Sequence, residues 1–129
     1  MAKETKAPML KRTAPVLQVN SRTVRPMRDF FVDQLGFEVG TSVGRGPDFV
    51  TLDRDGQTIM LTCRSSFGFR QSGWAAYFWT DDVDALFEEI KSRGTKIKGG
   101  LVTKDYGYRE FVANAPDGRE IVFGEILTE

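Results

Sequence analysis

The sequence predicts an α+β fold made of two tandem βαβββ modules, because one stretch occurs twice. Residues 52–62, LDRDGQTIMLT, have a second copy at residues 114–124, NAPDGREIVFG. In each copy an Asp-Gly pair precedes alternating apolar residues, which is typical of a β-hairpin because glycine supplies the positive φ that the turn requires. A helical pattern ending in glycine lies upstream of each copy, at Gly36 and Gly94. One such unit cannot bury its own apolar face, so the modules should pack together.

The first module starts with an alternating segment, residues 14–20, which predicts a half-buried strand. Thr23 is a suitable N-cap for the helix that follows and ends at Gly36. The apolar residues that recur at helical spacing in it are Val24, Met27, Phe31 and Leu35. Short strands are then predicted at residues 37–43, 48–52 and 57–63.

The second module starts with a predicted strand at residues 74–80. Asp81 or Asp82 caps the next helix, which ends at Gly94 and carries an apolar stripe of Val83, Leu86, Phe87 and Ile90. Strands are predicted near residues 96–102, 108–114 and 119–124. We therefore expect a flexible tail at residues 1–13 and a single domain at 14–129, with its modules at 14–63 and 74–125.

Composition excludes several classes of function. A formal net charge of zero over 129 residues argues against nucleic acid as a partner, and the sequence has no apolar run long enough to span a membrane. The first dozen residues are polar and do not form a secretion signal. The single Cys63 cannot make an internal disulfide, which together with the polar N-terminus favours a cytoplasmic protein. The absence of histidine removes the commonest metal ligand and general base.

Three motifs in order resemble one known family. They are FFVDQLGFEV in the first helix, TDDVDALFEEIKSRG in the second helix and REFVANAPDGREIVFGE at the end of the chain. Over residues 14–125 the chain resembles the vicinal oxygen chelate superfamily of glyoxalases, bleomycin resistance proteins and dioxygenases, and it is closest in type to the bleomycin resistance proteins. The resemblance implies a curved mixed sheet around a ligand cleft, usually in a homodimer.

The resemblance also places the metal ligands of the metal-dependent members, which are His, Gln or Glu at one cleft position on each of four strands. The matching positions here are Gln18 (or Val16, if the register is shifted by one), Met60, Ala75 and Val122. Only Gln18 could coordinate a metal, and a single amide is insufficient because an ion needs several convergent donors. We therefore predict no metal and no cofactor.

Strand parity predicts which residues line the cleft. The residues expected to face the helices are Leu17, Val19, Ile59, Leu61, Phe78, Ile121 and Phe123. Their neighbours then face the cleft: Val16, Gln18, Asn20, Thr58, Met60, Thr62, Ala75, Tyr77, Trp79, Glu120, Val122 and Gly124. A type I turn at Pro116-Asp117 with a bulge at Gly118 adds Glu110, Val112 and Asn114. By the repeat, Asp48, Val50 and Leu52 are added as well.

The predicted cleft combines aromatic faces with negative charge. Tyr77 and Trp79 lie in it, and Phe67, Phe69, Tyr106 and Tyr108 are expected in loops near its rim. Such a site suits planar, cationic ligands that stack and make cation–π contacts. The predicted ligand-binding residues are Gln18, Asp48, Met60, Tyr77, Trp79, Tyr106, Tyr108, Glu110 and Val112. Alternatively, some of the aromatic residues pack a dimer interface and the acidic residues are solvated.

These residues predict a non-catalytic binding protein that sequesters a bleomycin-like or other aromatic or cationic antibiotic in a dimer cleft. One alternative is an enzyme of the same fold, of the lyase or dioxygenase type, that uses Glu110 or Glu120 as acid/base or an unrecognised metal site. The other alternative is a sensor or accessory protein with no ligand of its own.

Overall fold

The computed structural model describes residues 7–64 and 71–127, which form two successive βαβββ modules. The first contains β1 (Val16–Val19), α1 (Val24–Asp29), β2 (Glu38–Val43), β3 (Phe49–Arg54) and β4 (Gln57–Cys63). The second contains β5 (Gly73–Trp79), α2 (Val83–Ser92), β6 (Ile97–Thr103), β7 (Tyr108–Asn114) and β8 (Arg119–Ile126). The predicted α+β class and the two modules are confirmed. None of the described helices is long and apolar enough to cross a membrane.

Each module forms its own four-stranded mixed sheet. The strand orders are β1-β4-β3-β2 and β5-β8-β7-β6, with β1 parallel to β4 and β5 parallel to β8. Helices cover one face of these sheets and enclose the core. The predicted helix-facing residues are in this core: Leu17, Val19, Ile59, Leu61, Ile121 and Phe123 are buried, and Phe78 packs against them. We call the opposite side of each sheet its open face.

The first helix changes its winding after Asp29 and continues as a π-helix over Phe30–Gln34. In this segment the backbone N–H of Leu35 donates to Phe30 O at 3.2 Å. Since the wider turn rotates successive residues less far around the axis, the adjacent Phe30 and Phe31 are both buried. Thr23 occupies the predicted N-cap position, but its hydroxyl bonds to Asn20 and makes no cap hydrogen bond.

The two hairpins differ in their turns, and this overturns part of the predicted cleft. The first has a two-residue turn, Asp55-Gly56, with φ of 52° and 78°, whereas residues 115–118 connect β7 to β8. Leu52 pairs with Ile59, but Ala113 pairs with Ile121, so the register of the first hairpin is shifted by one residue from the repeat. The prediction that Val50 and Leu52 face the cleft was therefore wrong. Both are fully buried in the core.

Side chains join the two modules. Arg54 at the end of β3 donates to both carboxylate oxygens of Glu89 on α2, at 2.9 and 2.8 Å, and to Leu35 O at 2.7 Å. Its hydrogen bond to Glu89 raises the pKa of Arg54, and the same hydrogen bond lowers the pKa of Glu89. A second link is the aromatic contact between Phe37 and Phe78, whose ring centroids are 5.5 Å apart. Among the described residues the modules therefore meet through an ion pair and through aromatic rings.

Candidate functional site

A β-bulge in β5 determines which aromatic residues reach the open face of the second sheet. Trp74 pairs with Glu120 and Ala76 pairs with Ile121, so Ala75 is an extra residue on β5. Ala75, predicted to face the cleft, instead packs against the core. Strict alternation along residues 74–80 would place Trp74 on the same face as Phe78, but Trp74 lies on the side of Tyr77 and is 55% exposed. The bulge thus adds a tryptophan to the site that alternation alone does not predict.

Five aromatic side chains form one continuous group on this open face, which we call the aromatic cluster: Trp74, Tyr77, Trp79, Tyr106 and Tyr108. The Tyr77 ring lies 5.8 Å from Trp74 and 4.6 Å from Trp79, measured between centroids. The Tyr108 ring lies 4.6 Å from Trp79 and 5.1 Å from Tyr106. Trp74, Trp79 and Tyr106 are more than half exposed. The cluster therefore offers several aromatic faces to a ligand.

Glu110 is buried beneath this cluster. The residue is only 2% exposed, and its Oε1 accepts hydrogen bonds from the hydroxyls of Tyr77 at 3.0 Å and Tyr106 at 2.8 Å. The Tyr77 hydroxyl reaches it because it lies over Gly124, where a Cβ atom would overlap with that hydroxyl. Residue 124 must therefore be glycine, because any larger side chain would overlap with Tyr77.

The two tyrosine hydroxyls are held as hydrogen-bond donors. Desolvation and the hydrogen bond to Glu110 raise the pKa of Tyr77, and the same two causes raise the pKa of Tyr106 to about 12. Both phenols are consequently protonated at neutral pH. They orient the carboxyl group of Glu110 and are poor candidates for a general acid or base near neutral pH.

A cavity of about 320 Å³ lies beside Glu110 on the same face. It borders a bulge in β6, where Gly99 and Gly100 have φ of 82° and 120° and the pairing with β7 is interrupted. Side chains that line it include Trp74, Lys98, Lys104, Glu110, Val112 and Glu120. Glu120 forms an ion pair with Lys98 at 2.8 Å. The predicted residues Glu110 and Val112 therefore share one cavity with Trp74.

The other predicted site residues lie in the first module. Gln18 is exposed on β1, Met60 is half-buried on β4, and Asp48 is exposed in the turn before β3. In the part of the chain that the structure describes, no hydrogen bond or ring contact joins these three to the aromatic cluster. Phe67 and Phe69 lie outside the described residues. The structure thus groups Tyr77, Trp79, Tyr106, Tyr108, Glu110 and Val112, and their role in binding stays a prediction.

The chain belongs to the glyoxalase/bleomycin resistance protein/dioxygenase superfamily, because the family model matches residues 13–123. The resemblance inferred from the motifs is thereby confirmed. No curated protein matches the chain in sequence.

Solved structures share the fold. TnmS3, an antibiotic binding protein from Streptomyces sp. CB03234, is 20% identical with a TM-score of 0.69, over 92% of this chain and 99% of that one. TioX from Micromonospora sp. ML1 is 19% identical with a TM-score of 0.67, over 90% and 100%. A protein of unknown function from Agrobacterium tumefaciens str. C58 is 25% identical with a TM-score of 0.63, over 94% and 98%.

The residues present do not fit the metal of the metal-dependent members of this superfamily. Ala75 packs against the core, Val122 is fully buried, and neither alanine, valine nor the Met60 thioether is a ligand for a catalytic divalent ion. Within residues 7–64 and 71–127, no three Cys, Asp or Glu side chains are grouped closely enough to hold an ion.

Proposed function

We propose that this protein binds an aromatic or cationic small molecule without transforming it, as a sequestering protein for an antibiotic of the bleomycin-like or a related aromatic type would. The observation that carries the proposal is the aromatic cluster around the buried Glu110. Exposed tryptophan and tyrosine rings on a sheet face are unfavourable in water unless a ligand or partner covers them. Sequestration needs affinity and copy number only, so neither a nucleophile nor a metal is required.

The likeness to TnmS3 supports an antibiotic as the ligand, since that protein binds an antibiotic on the same fold. The arrangement of the site supports the aromatic or cationic class. Trp79 stands between Tyr77 and Tyr108, so a planar ligand stacked on the indole also meets a phenol edge. Stacking of this kind favours flat, electron-poor or cationic rings.

Replacing Trp79 with Ala should weaken binding of such a ligand by about 1–3 kcal/mol, the effect expected for a partly exposed aromatic anchor. The ligand is found by thermal shift with a panel of cationic glycopeptide and aromatic antibiotics, since binding to the native state raises its apparent stability. Affinity is then measured by quenching of tryptophan fluorescence, because a ligand that stacks on the cluster lies against Trp74 or Trp79.

Trp79→Phe is the matched control, because it keeps an aromatic face at the same position and should retain most of the affinity. A panel in which no compound shifts the melting temperature would count against the proposed function. Equal affinity of wild type and Trp79→Ala would exclude Trp79 as the stacking residue.

Removing divalent metal with a chelator should leave the fold and the melting temperature unchanged. The reason is that Gln18 is the only possible ligand among the four positions matched to the superfamily's metal site. Elemental analysis of the purified protein provides the measurement. A stoichiometric transition metal that survives dialysis would instead favour an enzyme.

We also propose a symmetric homodimer. All six residues of β2 are exposed, and Val39 and Val43 on this edge strand are about half exposed. Unpaired edges of this kind are usually covered in the functional assembly. Sedimentation at micromolar concentration should show a species of twice the 14.5 kDa chain, and a purely monomeric sample would contradict the proposal. A cytoplasmic location stays a prediction.

A further inference from the structure

Glu110 is a buried carboxyl group with one oxygen atom that its neighbours do not satisfy. Tyr77 and Tyr106 both donate to Oε1, whereas Oε2 is buried and has no hydrogen-bond partner among residues 7–64 and 71–127. Buried polar atoms in folded proteins are nearly always paired, so an exception requires a physical explanation, and a bound partner is one. The two tyrosines fix the carboxyl group by one oxygen, and the other oxygen of this cavity-lining residue keeps an unused capacity to accept a hydrogen bond.

The cavity beside Glu110 has the size and the walls for part of a small molecule. Trp74 provides an aromatic wall and Val112 an apolar one. The double-glycine bulge at Gly99-Gly100 leaves the space beside β6 without side chains, since a Cβ atom at either position would have no neighbour within 4 Å. A planar group that enters here meets the indole on one side and the carboxyl group of Glu110 within the same cavity.

Two acidic residues line the cavity, and Glu110 is the one that forms no ion pair among the described residues. Glu120 is held by Lys98 in an ion pair, so its charge is compensated. Lys104 also lines the cavity, but it is exposed, and no ion pair joins it to Glu110 among the described residues. A charge on exposed Lys104 is screened by water, whereas a charge on buried Glu110 is screened far less.

Building on the small-molecule binding proposed above, we propose that Glu110 Oε2 accepts a hydrogen bond from a protonated nitrogen carried by a planar aromatic ligand. The ligand class is an arylamidine cation, with its ring against Trp74 and its N–H at Glu110. A hydrogen bond whose donor and acceptor are both charged is short and strong, so the site should favour a cationic donor over a neutral one.

The test compares two probes of the same shape, naphthamidine and naphthamide, by tryptophan fluorescence and calorimetry on the full chain. The amidine is cationic and presents its N–H groups in a plane, while the amide is its neutral isostere. Wild type should bind the amidine about ten- to a hundredfold more tightly, the range expected for a hydrogen bond to a charged group.

Glu110→Gln should remove this preference, because the amide side chain keeps the shape and can still accept from the tyrosines but carries no charge. Naphthamide affinity should change less than about twofold, since its stacking on the aromatic cluster is untouched. Glu88→Gln, an exposed acid on α2, is the matched control for the change in charge and should keep the preference.

Failure of the Glu110 inference alone can be told apart from failure of the proposed function. If both probes bind wild type equally, aromatic binding stands and the role of Glu110 is overturned. If neither binds, the proposed function fails for this ligand class and the Glu110 inference fails with it. If Lys104→Ala destabilises the protein as much as Glu110→Gln and abolishes the preference, Lys104 is the partner of Oε2 and the inference is also overturned. If Glu110→Gln does not fold, equal binding of the two probes by wild type still overturns the role of Glu110.

Discussion

Phe78→Ala should lower the free energy of unfolding by about 3 kcal/mol, the lower end of the range for a truncated phenylalanine, because it removes a large half-buried ring that packs against the core. Phe78 stacks on Phe123 with centroids 5.6 Å apart and also contacts Phe37 of the first module at 5.5 Å. Its loss therefore weakens the core of the second module and the contact between the modules at once. Urea unfolding followed by circular dichroism measures the change.

Trp79→Ala is the matched control for stability, because Trp79 follows Phe78 on the same strand and points to the open face. It should cost about 1 kcal/mol, the typical effect of a substitution outside the core. If Trp79→Ala proved the more destabilising of the two, the assignment of faces along β5 would be reversed. The aromatic cluster would then be a structural group and not a binding surface.

Arg119→Ala should destabilise the protein by about 3–5 kcal/mol, because it leaves a buried carboxylate without its partner. The side chains of Arg119 and Asp117 are only 10% and 5% exposed, and Nη2 lies 2.7 Å from Asp117 Oδ2. The same Nη2 donates to Gln18 O at 2.8 Å, which ties the second hairpin to β1. The substitution thus also leaves a backbone carbonyl of the first module unpaired.

Arg109→Ala provides the comparison, since Arg109 pairs with Asp84, whose side chain is 63% exposed. An exposed pair contributes less than about 1 kcal/mol, so this variant should be nearly as stable as wild type. The double substitution Arg119→Met with Asp117→Asn should recover part of the loss, because no buried charge remains without a partner. If Arg119→Ala and Arg109→Ala had the same free energy of unfolding, the buried ion pair would stabilise the fold no more than the exposed one.

Local patterns in the sequence predicted most of the fold, because the features that determine each element are close together in the chain. The helical stripe of the first module fits either an α-helix or a π-helix, so the change in winding at Phe30 was not predicted. The register of the first hairpin was predicted wrongly for Val50 and Leu52. Register depends on how the turn is closed, and the repeat conceals a one-residue difference between the two hairpins.

The candidate site was predicted less completely, because its geometry depends on residues far apart in the sequence. Alternation placed Tyr77 and Trp79 on one face, and the assumed bulge at Gly118 added Glu110. In the structure the Tyr77 ring contacts Trp79 and its hydroxyl donates to Glu110. Alternation did not predict the position of Trp74, because the bulge at Ala75 interrupts it. The glycine at position 73, just before the bulge, is a signal in the sequence, and in the structure its φ is 81°. The burial of Glu110 could not be predicted either, because it results from Tyr77, Tyr106 and the missing side chain of Gly124.

The unequal hairpin turns also indicate how the surfaces of two repeated modules can come to differ. A shift of one residue in register reverses the face on which every residue of the adjoining strand lies. An insertion or deletion in a hairpin turn therefore exchanges a whole row of side chains in one genetic event, whereas a point mutation changes one contact. The exchange is tolerated where the row that turns inward is apolar, as Val50 and Leu52 are on β3. A change of turn length in one module can therefore give that module a new set of exposed side chains, while the other module keeps its own.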